Sequence, residues 1–593
     1  MSNTIADRLA HVRKIMYREK VDALYISGTD PHLSEYLCEH WQTRRFFTGF
    51  SGSYGEVVVL PQSAGLWTDT RYFLQAQQEL EGSGIAMHKL RVPEAVPVID
   101  WLLMHLSPGN RLAVDPFSLP YATYQHFKDK LRTKNIELVM LPELLNEVWT
   151  NRPALPQREI FAMPDQIAGM SVSEKLEAVA TALSSRQTTA MVLSALDEVA
   201  WLFNLRGSDI QYAPLFMAYA VIGIHTRKIF VHKRSLSREA LNMLSMNGVE
   251  VHDYEMVIDS LREMGHEIFL VDPNSISTAV WFQVSKANYR LADRSLVATM
   301  KAAKNATEID GFRQAMLKDG VVMVTFLKWL NDTVGLEPVT EFDVSKKLAE
   351  LRSHQPGFVC ESFEPISAYR DHGAMVHLSV DAGNAYPLEP IGVLLTDSGG
   401  QYLTGTTDIT RTVALGEVTM QQKRDFTLVL KGMIKLSMAV FPYGTKGIQL
   451  DTLARQSLWE DGLNYGHGTG HGVGHFLSVH EGPVSIRPEC NPNEIVPGMI
   501  FSNEPGVYRE GEYGIRIENL LVCVEKKTTP FGRFLGFETL TLCPIDTRLV
   551  LPELLLPDER QWLNDYHSSV RKALSPMLDD VLQSYLTAIT EAI

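Results

Sequence analysis

The chain has 593 residues, too many for one hydrophobic core and enough for about three or four domains. At 45% hydrophobic and 21% charged it has an ordinary globular composition, and its net charge of −15 argues against nucleic-acid binding driven by phosphate neutralisation. No apolar run approaches the roughly 18 residues of a membrane span, so no membrane association is predicted.

At the N-terminus, Ile5, Leu9, Val12 and Met16 recur at helical spacing and predict an amphipathic helix; the segment lacks the apolar core of a signal peptide. The five cysteines (Cys38, Cys360, Cys490, Cys523 and Cys543) are odd in number, scattered and never in a CxxC pair. They are expected as buried small apolar residues in a reduced cytoplasm.

Over the first ~155 residues β runs alternate with helical periodicity. Ala23–Ser27, Gly55–Leu60 and Leu112–Asp115 read as strands, and Arg71–Leu80 and Val96–Leu106 as helices. Trp149–Gln157, with two prolines, reads as a linker. The next segment echoes the first: Leu24–Asp30 and Met191–Asp197 each end a strand in Ser-x-x-Asp, and Gly52-Ser53 and Gly207-Ser208 follow, which suggests an internal duplication. The predicted division is an α/β domain over 1–155, a second over 158–298, and a third region over 299–593.

The third region opens on a long amphipathic helix carrying Ile309, Phe312, Met316, Met323, Leu327 and Leu330. Thr419-x-x-Gln422 is a capping-box signature before a second helix bearing Phe426, Val429, Leu430 and Met433. Between them, an apolar run ending at Asp397, a Ser-Gly-Gly segment and a Thr-rich run carrying Asp408 read as a hairpin with two carboxylates on neighbouring strands. In Gly466–Gly474 glycine takes every other position. An extended backbone there presents His467, Thr469, His471, Val473 and His475 on one side. Glu504 and Glu518 follow in short β-prone runs, so the region is expected to be a curved sheet backed by helices. Pro557 marks the start of a last helix, with Trp562, Leu563, Tyr566, Val570 and Leu574 on one face, expected to pack on its own domain.

Four carboxylates gathered in one sheet carry about −4 of charge, and Arg411 and Arg516 are the few basic residues beside them. Two divalent cations neutralise such a set. Oxygen-rich ligation with one imidazole favours Mn²⁺, with Co²⁺, Fe²⁺ or Zn²⁺ as alternatives. A phosphate loop is disfavoured because the Gly-rich run lacks the P-loop lysine and a strand-to-helix context, and His480-Glu481 is not followed by the second histidine of HExxH.

With these residues in view, the C-terminal ~290 residues resemble the pita-bread metallopeptidases. The stretches FFTGFSGSYGEVVV, WTDTRYFLQA, WTNRPALP, LFNLRGSDIQYAPLF, DSGGQYLTGTTDITRT, GHGTGHGVG, VHEGP, NEPGVY and YGIRIEN extend the resemblance to the long, three-domain cytosolic Xaa-Pro aminopeptidases (the aminopeptidase P family). The fold this implies is α/β and α+β: two creatinase-like N-terminal α/β domains and a C-terminal pita-bread catalytic domain with a helical extension. By the resemblance, Asp397 and Asp408 hold one metal with Asp408 shared, His471 and Glu504 complete the other site, and Glu518 bridges both. Glu504 is also the implied general base, His480 an oxyanion-stabilising or proton-shuttling histidine, and His377 a residue lining the substrate cleft. His467 helps shape a proline pocket, and Arg516 either contacts substrate or holds a carboxylate ligand. The implied activity is metal-dependent release of the first residue from peptides with proline second, by a water shared between two metals, in a homodimer. A dipeptide-restricted prolidase and a silent binding module are the competing readings. The chain departs from the family pattern at His475, a second imidazole within reach of the site, and in SAYRDHGAMVH, which lacks the usual Gly-Pro-Asn-Gly arrangement before His377.

Overall fold

In the computed structural model, which describes residues 4–142, 144–292, 294–378 and 380–593, the chain forms two compact units. One comprises residues up to Pro164 together with Met170–Thr299; the other comprises Asp165–Gly169 and Met300–Ile593.

The first unit holds two six-stranded sheets of the same design. In the first, strand Ala23–Ile26 is central, antiparallel to Glu56–Val59 on one side and parallel to Arg111–Val114 on the other. In the second, Ala190–Leu193 takes that place between Ala218–Gly223 and Ile268–Val271, and the outer strands repeat the same order and directions. The shared topology agrees with the duplication suggested by the two Ser-x-x-Asp strand ends. Helix Ile5–Glu19 is closed at its start by a Thr4 capping box and buries Leu9, Val12, Ile15 and Met16. The two sheets belong to one unit because they are bonded to each other: Tyr121 stacks on Trp281 at 3.8 Å, and His32 bridges the Ser194 carbonyl (2.8 Å) and the Tyr254 hydroxyl (2.7 Å).

The second unit opens on helix Ala306–Thr333, capped by Asn305 and Glu308. Helix Met420–Ser437 has the Thr419–Gln422 capping box read from sequence. Its Phe426, Val429, Leu430 and Met433 enter a core with Ile515, Ile517, Leu563, Tyr566, Val570 and Leu574. Each such side chain contributes about 1.5–3 kcal/mol on burial, so helices Met420–Ser437 and Pro557–Leu574 pack with the strand that carries Ile515 in one core. The expected single curved sheet is divided into ladders. Ile366–Tyr369, Val393–Ser398 and Ile409–Ala414 form one; a six-stranded ladder includes Gly470–Gly472, Glu481–Ile486, Ile500–Asn503 and Asn519–Thr529. Irregularities between His471 and Gly472, and between Glu525 and Lys527, break the register.

All five cysteines are free; Cys38, Cys523 and Cys543 are buried, whereas Cys360 is half-buried and Cys490 exposed, contrary to the expectation that all five are interior. Among the described residues no helix is long and apolar enough to cross a membrane.

His567, on the terminal helix Pro557–Leu574, accepts from the Ile545 N–H at 3.1 Å through Nε2. Burial, then the charges of Arg411 and Arg571, push it from 6.5 down to about 4. Protonation therefore favours the unfolded chain: its stabilising contribution is complete above pH 6.5 and is lost as the pH falls through about 4. His567→Gln, which can still accept from Ile545, is expected to flatten the fall in unfolding free energy over that window by roughly 3 kcal/mol, measured by denaturant titration. An unchanged slope contradicts the assignment.

Candidate metal centre

Asp397 is the fifth residue of strand Val393–Ser398 and pairs with Thr410 on the antiparallel strand Ile409–Ala414, while Asp408 immediately precedes that strand. The predicted hairpin thus brings both aspartates to one end of one ladder. His471 is the middle residue of Gly470–Gly472, Glu504 follows strand Ile500–Asn503, and Glu518 lies between Tyr513–Arg516 and Asn519–Thr529. The Glu504 N–H donates to the Thr469 carbonyl (2.8 Å) within the six-stranded ladder, and the Glu518 N–H donates to the Thr410 carbonyl (3.1 Å), which ties the two ladders together at these acids.

Asp408, His471 and Glu518 each offer a ligand atom, and these atoms lie within 4.8 Å of one another. His471 Nε2 is 3.4 Å from Asp408 Oδ2 and 3.6 Å from Glu504 Oε1. Its Nδ1 donates to the Gly472 carbonyl at 2.9 Å, which orients the ring and turns Nε2 toward the acids. Asp397 is outside that group of three, its Oδ2 accepting from Arg516 Nη2 at 2.6 Å. Arg516 therefore holds a carboxylate, and it also donates to the hydroxyls of Thr410 (3.1 Å) and Tyr508 (2.7 Å). The Thr410 hydroxyl donates in turn to Glu518 Oε2 at 2.9 Å.

The electrostatics are unfavourable without a cation. Burial, followed by the charges of Asp408, Glu504 and Asp397, raises Glu518 well above the carboxylate range. Burial likewise raises Asp397 despite Arg516, and lifts Glu504 to about 7 despite His471. Burial pulls His471 down, but its hydrogen bond to Asp408 and the charges of Glu504 and Asp408 outweigh it and raise the ring to about 9. Asp397 Oδ1 and Glu518 Oε1 are buried with no hydrogen-bond partner among the described residues. Oxygen donors with open lone pairs, one oriented imidazole and excess negative charge fit hard or borderline divalent cations.

Of the other histidines, His480 lies beside the centre, its ring 4.3 Å from that of His471 and edge-on at 72°. His467 Nε2 is 2.8 Å from the Tyr508 hydroxyl, at the end of the Asp397–Arg516–Tyr508 chain. His377 is half-buried in the turn after Arg370–Ala374; its neighbours Met375 and Leu378 pack with Leu395 of the strand that carries Asp397 and with Tyr508. His475 does not share the side of His471. Regular pairing ends at Gly472, and His475 is buried 4.0 Å from Glu308 Oε1 with its ring against Phe312.

Sequence reasoning missed two supports. Lys301 and Lys304, both buried, clamp Glu481, the residue after His480; Lys301 Nζ is 2.8 Å from Glu481 Oε1 and Lys304 bonds Oε2. Tyr508 was likewise unassigned. An aromatic directly after the NEPGV stretch was the one available signal for it, whereas nothing local connects Lys301 with Glu481.

This fold and this cluster of acids with one imidazole define a pita-bread metallohydrolase. Residues 310–525 match the model of Metallopeptidase family M24, 8–148 and 151–308 match Creatinase/Prolidase N-terminal domains, and 533–593 match the C-terminal region of peptidase M24. A probable Xaa-Pro aminopeptidase P from Laccaria bicolor is 38% identical over 96% of this chain and 91% of its own, and Aminopeptidase P2 from Arabidopsis thaliana is 38% identical over 97% and 86%. The solved X-prolyl aminopeptidase of Caenorhabditis elegans, described as a cytosolic enzyme with a di-nuclear active site, superposes with a TM-score of 0.96 at 34% identity, covering all of both chains. The chain belongs to the aminopeptidase P family of M24 metallopeptidases.

Glu518→Gln replaces a carboxyl group whose pKa burial and its neighbours raise by an amide of the same shape that cannot ionise for a cation. The expected result is a metal-stripped protein at least as stable as wild type that no longer gains thermal stability on addition of Mn²⁺. A wild-type-like response to Mn²⁺ contradicts this assignment.

Proposed function

We propose that this protein is a metal-dependent aminopeptidase that releases the first residue of peptides with proline in second position. The supporting observation is the convergence of Asp397, Asp408, His471, Glu504 and Glu518 on one buried, negatively charged centre in a chain of this family. These five residues would hold two divalent ions, Mn²⁺ by the chemistry of the donors. When bound, such a pair neutralises the acids, polarises a carbonyl and lowers the pKa of water toward neutrality.

The protein's own groups divide the remaining work. Glu504 is positioned to take the proton of the attacking water, its Oε1 accepting from Ser502 at 3.3 Å. His480, beside His471, donates to the oxyanion of the tetrahedral intermediate. His377 lines the cleft for the peptide. Arg516 orients Asp397 and Tyr508, and Tyr508 in turn orients His467. A proline after the scissile bond forms an amide with no N–H, so a pocket for it reads ring shape, which His467 and Tyr508 supply. The working protein is a cytoplasmic homodimer.

An Arg-Pro-Pro peptide incubated with metal-stripped enzyme is expected to yield free arginine only after Mn²⁺, Co²⁺ or Zn²⁺ is restored. Activity indifferent to chelation contradicts the proposal, and cleavage confined to Xaa-Pro dipeptides favours the prolidase reading instead. His480→Ala is expected to lower kcat by about 10²–10³-fold with metal content unchanged, as for loss of one oxyanion donor; equal kcat removes His480 from the mechanism.

A further inference from the structure

Arg411 lies three residues after Asp408 on strand Ile409–Ala414 and is only 1% exposed. No described carboxylate pairs with its guanidinium within salt-bridge distance. Instead, Nη1 donates to the carbonyls of Thr410 (3.0 Å) and Glu518 (2.5 Å), so one side chain grips the backbone of both segments that carry Asp408 and Glu518. On the far side, Nε reaches the Pro544 carbonyl at 2.9 Å. Nη2 reaches Asn519 Oδ1 (2.8 Å), the Cys543 carbonyl (2.9 Å) and the Tyr566 hydroxyl (3.0 Å). A guanidinium has five N–H donors in a rigid plane, and this ring of acceptors occupies them; a lysine ammonium cannot span it.

Tyr566 belongs to helix Pro557–Leu574, within the C-terminal region that follows the M24 core. Its ring stacks on Trp562 at 5.2 Å. Its hydroxyl does more than cap an aromatic: it also accepts from the Cys543 N–H (3.3 Å) and is within donating distance of the Thr541 (3.0 Å) and Cys543 (2.9 Å) carbonyls. It thereby fixes the segment whose carbonyls hold Arg411.

We propose that Tyr566 is a positioning residue for the metal centre, acting through Arg411 to set the separation of Asp408 and Glu518, so that the C-terminal helix governs metal affinity. The proposal rests on the reading of these acids as metal ligands. Outer supports of this kind change metal affinity by about 10–100-fold when removed.

The test is titration of the metal-stripped full-length chain with Mn²⁺ against a competing chelator, alongside thermal unfolding of the metal-free form. Tyr566→Phe keeps the ring and is expected to raise the Mn²⁺ dissociation constant about 10-fold or more, as is Arg411→Lys. Val570→Ala, a core truncation on the same helix with no bond to Arg411, is expected to lower thermal stability while leaving Mn²⁺ affinity at the wild-type value. Wild-type affinity in Tyr566→Phe overturns the proposal, as does an equal loss in Val570→Ala, which would make the effect one of stability alone. A wild-type chain that takes up no Mn²⁺ overturns the metal-centre reading together with the proposal.

Discussion

The rest of the catalytic unit depends on one unfavourable arrangement: four carboxylates brought together out of water with a single guanidinium in direct contact. An isolated buried charge is costly, and like charges this close cannot all remain ionised without a counter-charge. The raised values of Glu504 and Glu518 express that conflict, and the partnerless oxygens of Asp397 and Glu518 show where it is left open. A chain that only needed to be stable would have apolar residues here. The repulsion is tolerated because two hydrogen-bonded ladders and a helical core carry these acids on rigid backbone.

That rigidity comes from two sources that act at different ranges. Packing of Phe426, Leu430, Ile517 and Leu563 holds helices against sheets without regard to direction. Direction is supplied by arginine: Arg516 orients Asp397 and Tyr508, and Arg411 joins the backbones of the Asp408 and Glu518 segments. The Lys301–Glu481–Lys304 clamp has the same character next to His480. Since removing one partner of such a network leaves the others buried without it, these supports are coupled to the site they surround.

The elements with a local cause were legible in the sequence. The capping box at Thr419 and the apolar face of the last helix are set by neighbours within a few residues, and the hairpin carrying Asp397 and Asp408 follows from its strand and turn residues. Alternation failed at the Gly-rich run because it assumes one continuous strand, whereas pairing stops at Gly472 and the chain turns through Phe476 in a left-handed conformation. His475 is thereby turned toward Glu308, away from the ligand set that spacing alone allowed it to join. The roles of Arg411, Tyr566 and Lys304 lay beyond reach because their partners are up to 177 residues distant and no period in the sequence links them. Cys490 was misjudged because composition speaks of averages, and this residue falls in an exposed turn-rich segment.

The central claim is that these acids exist to be neutralised by two cations. Calorimetric titration of the metal-stripped chain with Mn²⁺ at neutral pH, repeated in buffers of different ionisation enthalpy, tests it most directly. The account requires two ions per chain and a net release of protons as they bind, because ligands that hold protons in the absence of metal must give them up. Saturation without proton release, or binding that persists when Asp408 and Glu518 are both replaced by their amides, would contradict it.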